Sequence, residues 1–180
     1  GDFKRDDALA LIREYFEDIP RQPAPPPVDL IDPPQTAERR ETLTDPLARA
    51  AQLLIGYKGD VGNGPDQAAL QVLSSVLQGG DSSRLYQSIS KEQELVTGIG
   101  GYVEERIGTG GFYITATVRP GRKPEEVEAA IYDQIRKVAE LPIPDWELQK
   151  ARNATRMGYL HSIRSAQNRA TILGTYTILF

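Results

Sequence analysis

Residues 79–102 read GGDSSRLYQSISKEQELVTGIGGY. A glycine pair suits the stop of a helix, because glycine takes the left-handed turn that releases the last carbonyls. Asp81, Ser82 and Ser83 can accept a hydrogen bond from the free amides of a new helix. That helix is expected over Arg84 to Lys91, with Leu85 and Ile89 one turn apart. A strand is then expected over Leu95 to Val103, with Leu95, Thr97, Ile99, Gly101 and Val103 on one side and Val96, Gly98, Gly100 and Tyr102 on the other. Helix stop, short helix and glycine-rich strand make a corner where helices feed a sheet.

The flanks fit that corner. AAQLLIGYKG places Ala51, Leu53, Ile55 and Tyr57 on one face of a strand. Asp66 is a candidate cap for a buried helix carrying Ala69, Leu70, Leu73, Val76 and Leu77. Phe112, Ile114, Ala116 and Val118 alternate with Tyr113, Thr115 and Thr117, the clearest strand of the chain, which should pair antiparallel with Leu95–Val103. Pro124, Glu125 and Glu126 open a helix whose stripe is Val127, Ile131, Ile135 and Val138. After LPIPD, Asp145 is placed to cap a last helix running from Trp146 past Ser165, with Leu148, Ala151, Met157, Leu160 and Ile163 among its apolar members. The order predicts an α+β fold, an antiparallel sheet with helices packed on one face.

Upstream, Ala8, Leu11, Ile12, Tyr15, Phe16 and Ile19 recur at helical spacing. A run of prolines from Pro20 to Pro34 follows, and a chain so short of amide donors is extended rather than packed. Three segments result: a helix over 1–19 left from a preceding domain, a Pro-rich linker over 20–45, and a lobe over 46–180 that is truncated at its C-terminus.

Composition narrows the chemistry. Twenty-one Lys and Arg against 25 Asp and Glu give a net charge of −4, without the basic surplus of a nucleic-acid binder. No apolar run approaches the length of a membrane span, so neither nucleic acid nor membrane is an expected partner. The absence of cysteine excludes disulfides, thiolate zinc sites and a cysteine nucleophile from these 180 residues. His161 is the single histidine and cannot build a zinc site without an unusual carboxylate set. Neither TGIGGY nor IGTGGF fits a phosphate-binding glycine loop. Gly98, Gly100 and Gly101 read instead as sites where another backbone approaches the strand or its twist relaxes. Ser82 and Ser83 lack the glycine elbow of a serine nucleophile. Glu125, Glu126 and Glu128 read as a solvated helix face, Arg119, Arg122 and Lys123 as a small basic turn, and Trp146 as a packing residue.

A linker ending PPQTAERRETL leads into YKGDVGNGPDQAALQVLSSVLQGGDSSRLYQSI. KEQELVTGIGGYVEERIGTGGFYITATVRPGRKPEEVEAAI and IPDWELQKARNATRMGYL follow. This order, spanning essentially the whole chain, resembles the non-zinc-binding lobe of the insulinase/pitrilysin-type zinc metallopeptidases (the inverzincins). It is most similar to the bacterial, mitochondrial-processing-peptidase-like branch. The most specific piece is GGDSSRLYQSI with the strand GGFYITATV and the helix after it.

The resemblance implies a lobe in the wall of a chamber that encloses a peptide substrate. Zinc is expected on His-x-x-Glu-His in a preceding lobe, with the intervening Glu activating water. No catalytic residue, metal ligand or cofactor is expected in this chain, which alone should be inactive. In many members the second lobe supplies an Arg and, seven positions later, a Tyr that stabilise the tetrahedral intermediate. Here Ser90 stands at the Arg position and Thr97 at the Tyr position, so that pair is absent. Ser90 and Thr97 remain candidate substrate-binding positions. Arg84 is a third, read either as a peptide or partner contact near the chamber wall or as a salt bridge or cap holding the glycine turn. The Leu95–Val103 strand edge could accept a peptide by strand addition. The parent is then either a zinc subunit that borrows Arg and Tyr from a homologous partner, or a non-catalytic scaffold or binding subunit. The compartment, bacterial cytoplasm or periplasm, stays open.

Overall fold

The computed structural model describes residues 2–23, 25–26, 28–30 and 32–179. In chain order the elements are α1 (Arg5–Phe16), β1 (Gln52–Val61), α2 (Gln67–Gln78), a π-helix (Tyr86–Glu92), β2 (Val96–Glu104), β3 (Thr109–Val118), α3 (Pro124–Glu140), α4 (Asp145–Ser162) and α5 (Ala166–Leu179). The fold is α+β. The three strands form one antiparallel sheet in the order β1-β3-β2, so β3 is central and β2 lies at an edge of this sheet.

The core forms on one face of that sheet. Phe112, Ile114, Ala116 and Val118 of β3 meet Leu77 of α2, Leu85 and Ile89 of the Arg84–Glu92 turn, and Val127 and Ile131 of α3. Register explains the selection. Leu53 and Ile55 sit opposite Ala116 and Ile114, and Ile99 and Val103 opposite Ala116 and Phe112, so the alternating apolar sets share one side. Tyr102 and Tyr113 lie on the other side, with ring centroids 5.0 Å apart.

Helix ends follow local chemistry, with several departures from the sequence reading. Gly79 closes α2, its amide donating to the Ser75 carbonyl, and Gly80 takes φ 79°. Asp66 precedes α2 but makes no side-chain cap. Asp60 instead closes the turn that leads into α2, its carboxylate accepting the amides of Val61 and Asp66, each at 2.8 Å. Ala69 is exposed and most of α2 only half-buried, because one flank of the helix faces solvent. Pro124 and Glu126 open α3 as expected. Pro144, not Asp145, is the N-cap of α4, because its ring holds φ close to the value a helix entry needs. The last helix is two helices: α4 ends at Ser162, and the Ser165 hydroxyl accepts the Asn168 amide as α5 begins. Met157 and Leu160 are exposed, and Trp146 is exposed rather than packed, with the Lys150 ammonium 5.9 Å from its ring.

The helix α1 contributes no buried residue. The proline-rich stretch carries no helix or strand among its described residues, yet it is fastened to the sheet. The Lys58 ammonium reaches the Asp32 carboxylate at 2.6 Å and the Pro33 carbonyl at 2.5 Å. The Arg40 guanidinium holds Glu128 of α3 with two hydrogen bonds, at 2.9 and 2.5 Å. Glu128 is therefore half-buried under an arginine instead of solvated like Glu125 and Glu126. That arginine holds its carboxyl below the usual range.

Candidate functional site

The Gly79–Tyr102 corner departs from an ordinary helix in its middle. Tyr86–Glu92 is wound as a π-helix, closed at its C-terminus by the Gln93 amide on the Ser88 carbonyl. The wider winding buries Ile89, and Leu95 is tied back by its amide to the Ile89 carbonyl at 3.0 Å. No side chain caps this element. Ser83 is buried with its carbonyl accepting the Gln87 amide, and Ser82 receives the Lys150 ammonium at 3.0 Å. The two serines thus hold the corner by other contacts than the expected cap. π-Turns are concentrated at functional sites, which directs attention to what this one positions.

It positions the start of β2, where a bulge resets the strand. Val96 pairs with Val118, but Gly98 pairs with Thr117, so two steps on β2 oppose one on β3. Thr97 is the extra residue. The bulge turns Val96 into the core, fully buried, and leaves Thr97 exposed. Strict alternation from Leu95 had put Thr97 on the core side and Val96 with the glycines. The reversal arises because Leu95 and Val96 both gain by burial, and only an extra residue between Val96 and Ile99 lets both turn inward.

Each candidate residue now has a place. Arg84 forms a two-point ion pair with Glu147 at the start of α4, at 2.8 and 2.6 Å, with 19% of the Arg side chain and 6% of the Glu side chain exposed. That hydrogen bond raises the guanidinium's pKa, so the arginine's donors are committed to joining the glycine corner to α4. Ser90 is half-buried in the π-helix. Thr97 is exposed at the bulge, its hydroxyl 3.4 Å from the Thr117 carbonyl. Nothing brings Arg84 to the Thr97 bulge, since its guanidinium is turned to α4.

The glycines divide into two roles. A methyl group at Gly101 would collide with the Tyr113 carbonyl and the Gln78 side chain, because α2 lies directly over it. Gly98 and Gly100 face open space. The outer edge of β2 therefore presents a backbone without side-chain obstruction at two alternate positions.

Sequence reasoning missed the contacts that lock this edge in place. The Arg119 amide donates to the Leu95 carbonyl at 2.9 Å, and the Arg119 and Arg122 guanidinium groups reach the Val96 and Gln93 carbonyls. The basic turn is thus a clamp on the entry to β2. Buried Gln134 donates to the Ser88 hydroxyl at 3.0 Å, pinning the π-helix to α3. A glutamine on the apolar stripe of α3 was the one available signal for that contact.

Among the described residues, no group of three or more His, Cys, Asp or Glu is placed to hold a metal ion, and His161 is exposed near the end of α4. The donor set does not fit a catalytic zinc, which needs three protein ligands around an open position.

A family model described as the peptidase M16 inactive domain matches residues 1–155. The chain belongs to the peptidase M16 inactive-domain family. No curated protein matches it by sequence. Among solved structures, a protease from Helicobacter pylori shares 21% identity at a TM-score of 0.87, covering 99% of this chain and 44% of that one. A peptidase M16 inactive domain from Pseudomonas fluorescens shares 20% identity at a TM-score of 0.69, covering 97% of this chain and 40% of that one. Complex III from Candida albicans contains a chain 14% identical at a TM-score of 0.63, with 72% of this chain and 33% of that one covered. The chain spans less than half the length of these three relatives. At such identities the likenesses establish the fold. Family membership makes this M16 lobe the non-catalytic kind.

Proposed function

We propose that this M16 inactive domain forms part of a peptide-holding wall in a zinc peptidase, and that it holds extended peptide along the outer edge of β2. The observation that carries the reading is the outer edge of β2, which pairs with no further strand among the described residues, carries no side chain at Gly98 and Gly100, is set by the Thr97 bulge and is clamped at its start by Arg119 and Arg122. A peptide added there makes main-chain hydrogen bonds, which are indifferent to sequence. Thr97 sits at the beginning of that edge and Ser90 in the π-helix before it, whereas Arg84 serves the lobe by holding the corner. Zinc chemistry belongs to a preceding lobe, and a homologous partner subunit supplies the cation and phenol that Ser90 and Thr97 cannot. Residues 1–19 close the preceding lobe, 20–45 form a strap, and 46–180 form the wall.

The test uses a fluorescein-labelled extended peptide and the same peptide N-methylated at alternate residues. Saturable binding that N-methylation abolishes, and that Gly100→Val weakens, is expected. Binding that survives N-methylation would defeat strand addition. The Candida likeness favours a second reading, a scaffold subunit on the same fold. Chelator-sensitive peptide hydrolysis by the full-length protein distinguishes them, since a scaffold shows none.

A further inference from the structure

The face of the sheet opposite the core is laid out in rows by the strand register. Gly56 of β1, Tyr113 of β3 and Tyr102 of β2 make one row, and Leu54, Thr115 and Gly100 make the next. Neither row carries a charged side chain, and Lys58 and Glu104 stand in the row beyond the tyrosines. Tyr113 shows what a bare backbone receives on this face. Its ring lies over two glycines: a methyl group at Gly56 would come within 3.0 Å of it, and one at Gly111 would overlap it. Gly56 is the residue directly opposite Tyr113 on β1. A ring laid across a cross-strand glycine covers backbone that the glycine leaves open, which offsets the weakness of glycine inside a strand.

Gly98 and Gly100 lie on the same face, and nothing stands within 4 Å of the position a methyl group would take at either. They have the bare backbone of Gly56 without the ring that covers it. Leaning over Gly111, the Tyr113 ring leaves Thr115 exposed beside Gly100. The Thr115 hydroxyl is turned to the Gly100 carbonyl at 3.4 Å, so its one donor is spent within the sheet. Tyr102, two positions beyond Gly100, is 52% exposed, with its ring tilted 31° to that of Tyr113 at 5.0 Å. Much of that ring is free to meet a second aromatic neighbour.

We propose that the β2 edge selects extended peptides that carry an aromatic residue opposite Gly100, with its ring over that glycine as Tyr113 lies over Gly56, and against Tyr102. This rests on strand addition at β2 and adds the class of peptide. Main-chain hydrogen bonds hold any sequence, and the alternate side chains that reach the sheet face choose among sequences. Tyr102 is the diagonal neighbour of a residue opposite Gly100, a distance an aromatic side chain spans. A carboxylate or ammonium placed there would lose water against a face that offers it no opposite charge.

Calorimetric titration of the 180-residue chain with unlabelled Ser/Thr peptides, varied only at the central residue, tests the choice. The peptide with Phe at its centre should bind about 5-fold more tightly than the one with Ser, and the one with Glu most weakly. Tyr102→Ala should bring the Phe and Ser peptides within about 2-fold of each other, and Tyr102→Phe should restore the difference. Gly100→Ala should reduce the Phe advantage too, because its methyl group lifts the ring from the backbone. Equal affinity for all three peptides, with N-methylation of the Phe peptide still abolishing binding, would overturn the aromatic preference and leave strand addition standing. A Phe advantage that survives N-methylation, or no binding by any peptide, would overturn both. A Phe advantage unchanged in Tyr102→Ala and Gly100→Ala would put the ring elsewhere and overturn the inference.

Discussion

Among individual side chains, two ion pairs do different work. Arg84 and Glu147 are nearly enclosed, so removing either leaves a charge without water or partner. Glu147→Ala should lower stability by about 3 kcal/mol in urea denaturation. Replacing both partners, Arg84→Met with Glu147→Leu, should recover most of that, because a well-packed apolar pair removes the stranded charge. A loss confined to peptide binding, with stability intact, would return Arg84 to the chamber. The Arg40–Glu128 pair is more open on the arginine side and fastens the strap to α3. Its hydrogen bonds depress the Glu128 pKa, so the carboxylate prefers to ionise in the folded state. The sign follows directly: the contribution is complete above the ordinary glutamate value of ~4.3 and disappears as pH falls through the depressed folded value. The stability gap between wild type and Glu128→Gln should therefore be present at neutral pH and close in acid, as measured by denaturation across pH. Nothing along the chain hinted at this pairing, since Arg40 and Glu128 are 88 positions apart.

Among the elements, β2 is the one whose placement matters most. Its alternation was visible in the residues, but its phase was not. Leu95 and Val96 are both apolar, and a strict period of two can bury only one of them. The bulge buries both and delivers Thr97 to the surface. The three glycines should separate in a substitution series. A methyl group at Gly101 meets Gln78 and the Tyr113 carbonyl. Gly101→Ala should therefore cost about 2 kcal/mol through overpacking. Gly98 and Gly100 face open space. Alanine at either should stay within about 0.5 kcal/mol of wild type. Equal costs at all three positions in thermal denaturation would contradict this placement of α2 over β2. The π-helix was equally hidden, because Leu85 and Ile89 satisfy a helical period whether the turn is narrow or wide. What selects the wider turn is tertiary: Gln134 takes Ser88, and the Ile89 carbonyl is claimed by Leu95.

Across the molecule as a whole, the helix α1 adds nothing to the core, whereas the proline-rich segment is tied to the lobe through Lys58 and Arg40. The helix buries none of its residues, although it exposes Leu11, Ile12, Tyr15 and Phe16. A variant beginning at Val28 should match the stability of the intact chain within about 0.5 kcal/mol, because no core contact is lost. A large drop in its unfolding midpoint would place residues 1–19 inside this lobe instead of a preceding one. Zinc is a second test at this level. Metal analysis after dialysis should find far less than one zinc per chain, given the donor set. Stoichiometric zinc would end the assignment of metal chemistry to another lobe.

The residues alone determined the alternating face of β3, the helix stop at Gly79, the start of α3 at Pro124 and the α+β order, because these rest on local period and turn chemistry. They also showed that Ser90 and Thr97 lack a cation and a phenol. Only the tertiary structure decided which way Thr97 faces, where Arg84 spends its donors, and that Tyr113 covers Gly56 while nothing covers Gly100. Those outcomes depend on burial and on pairings between distant segments, such as Arg84 with Glu147, where the energy of a polar group is set by what surrounds it and not by its neighbours along the chain.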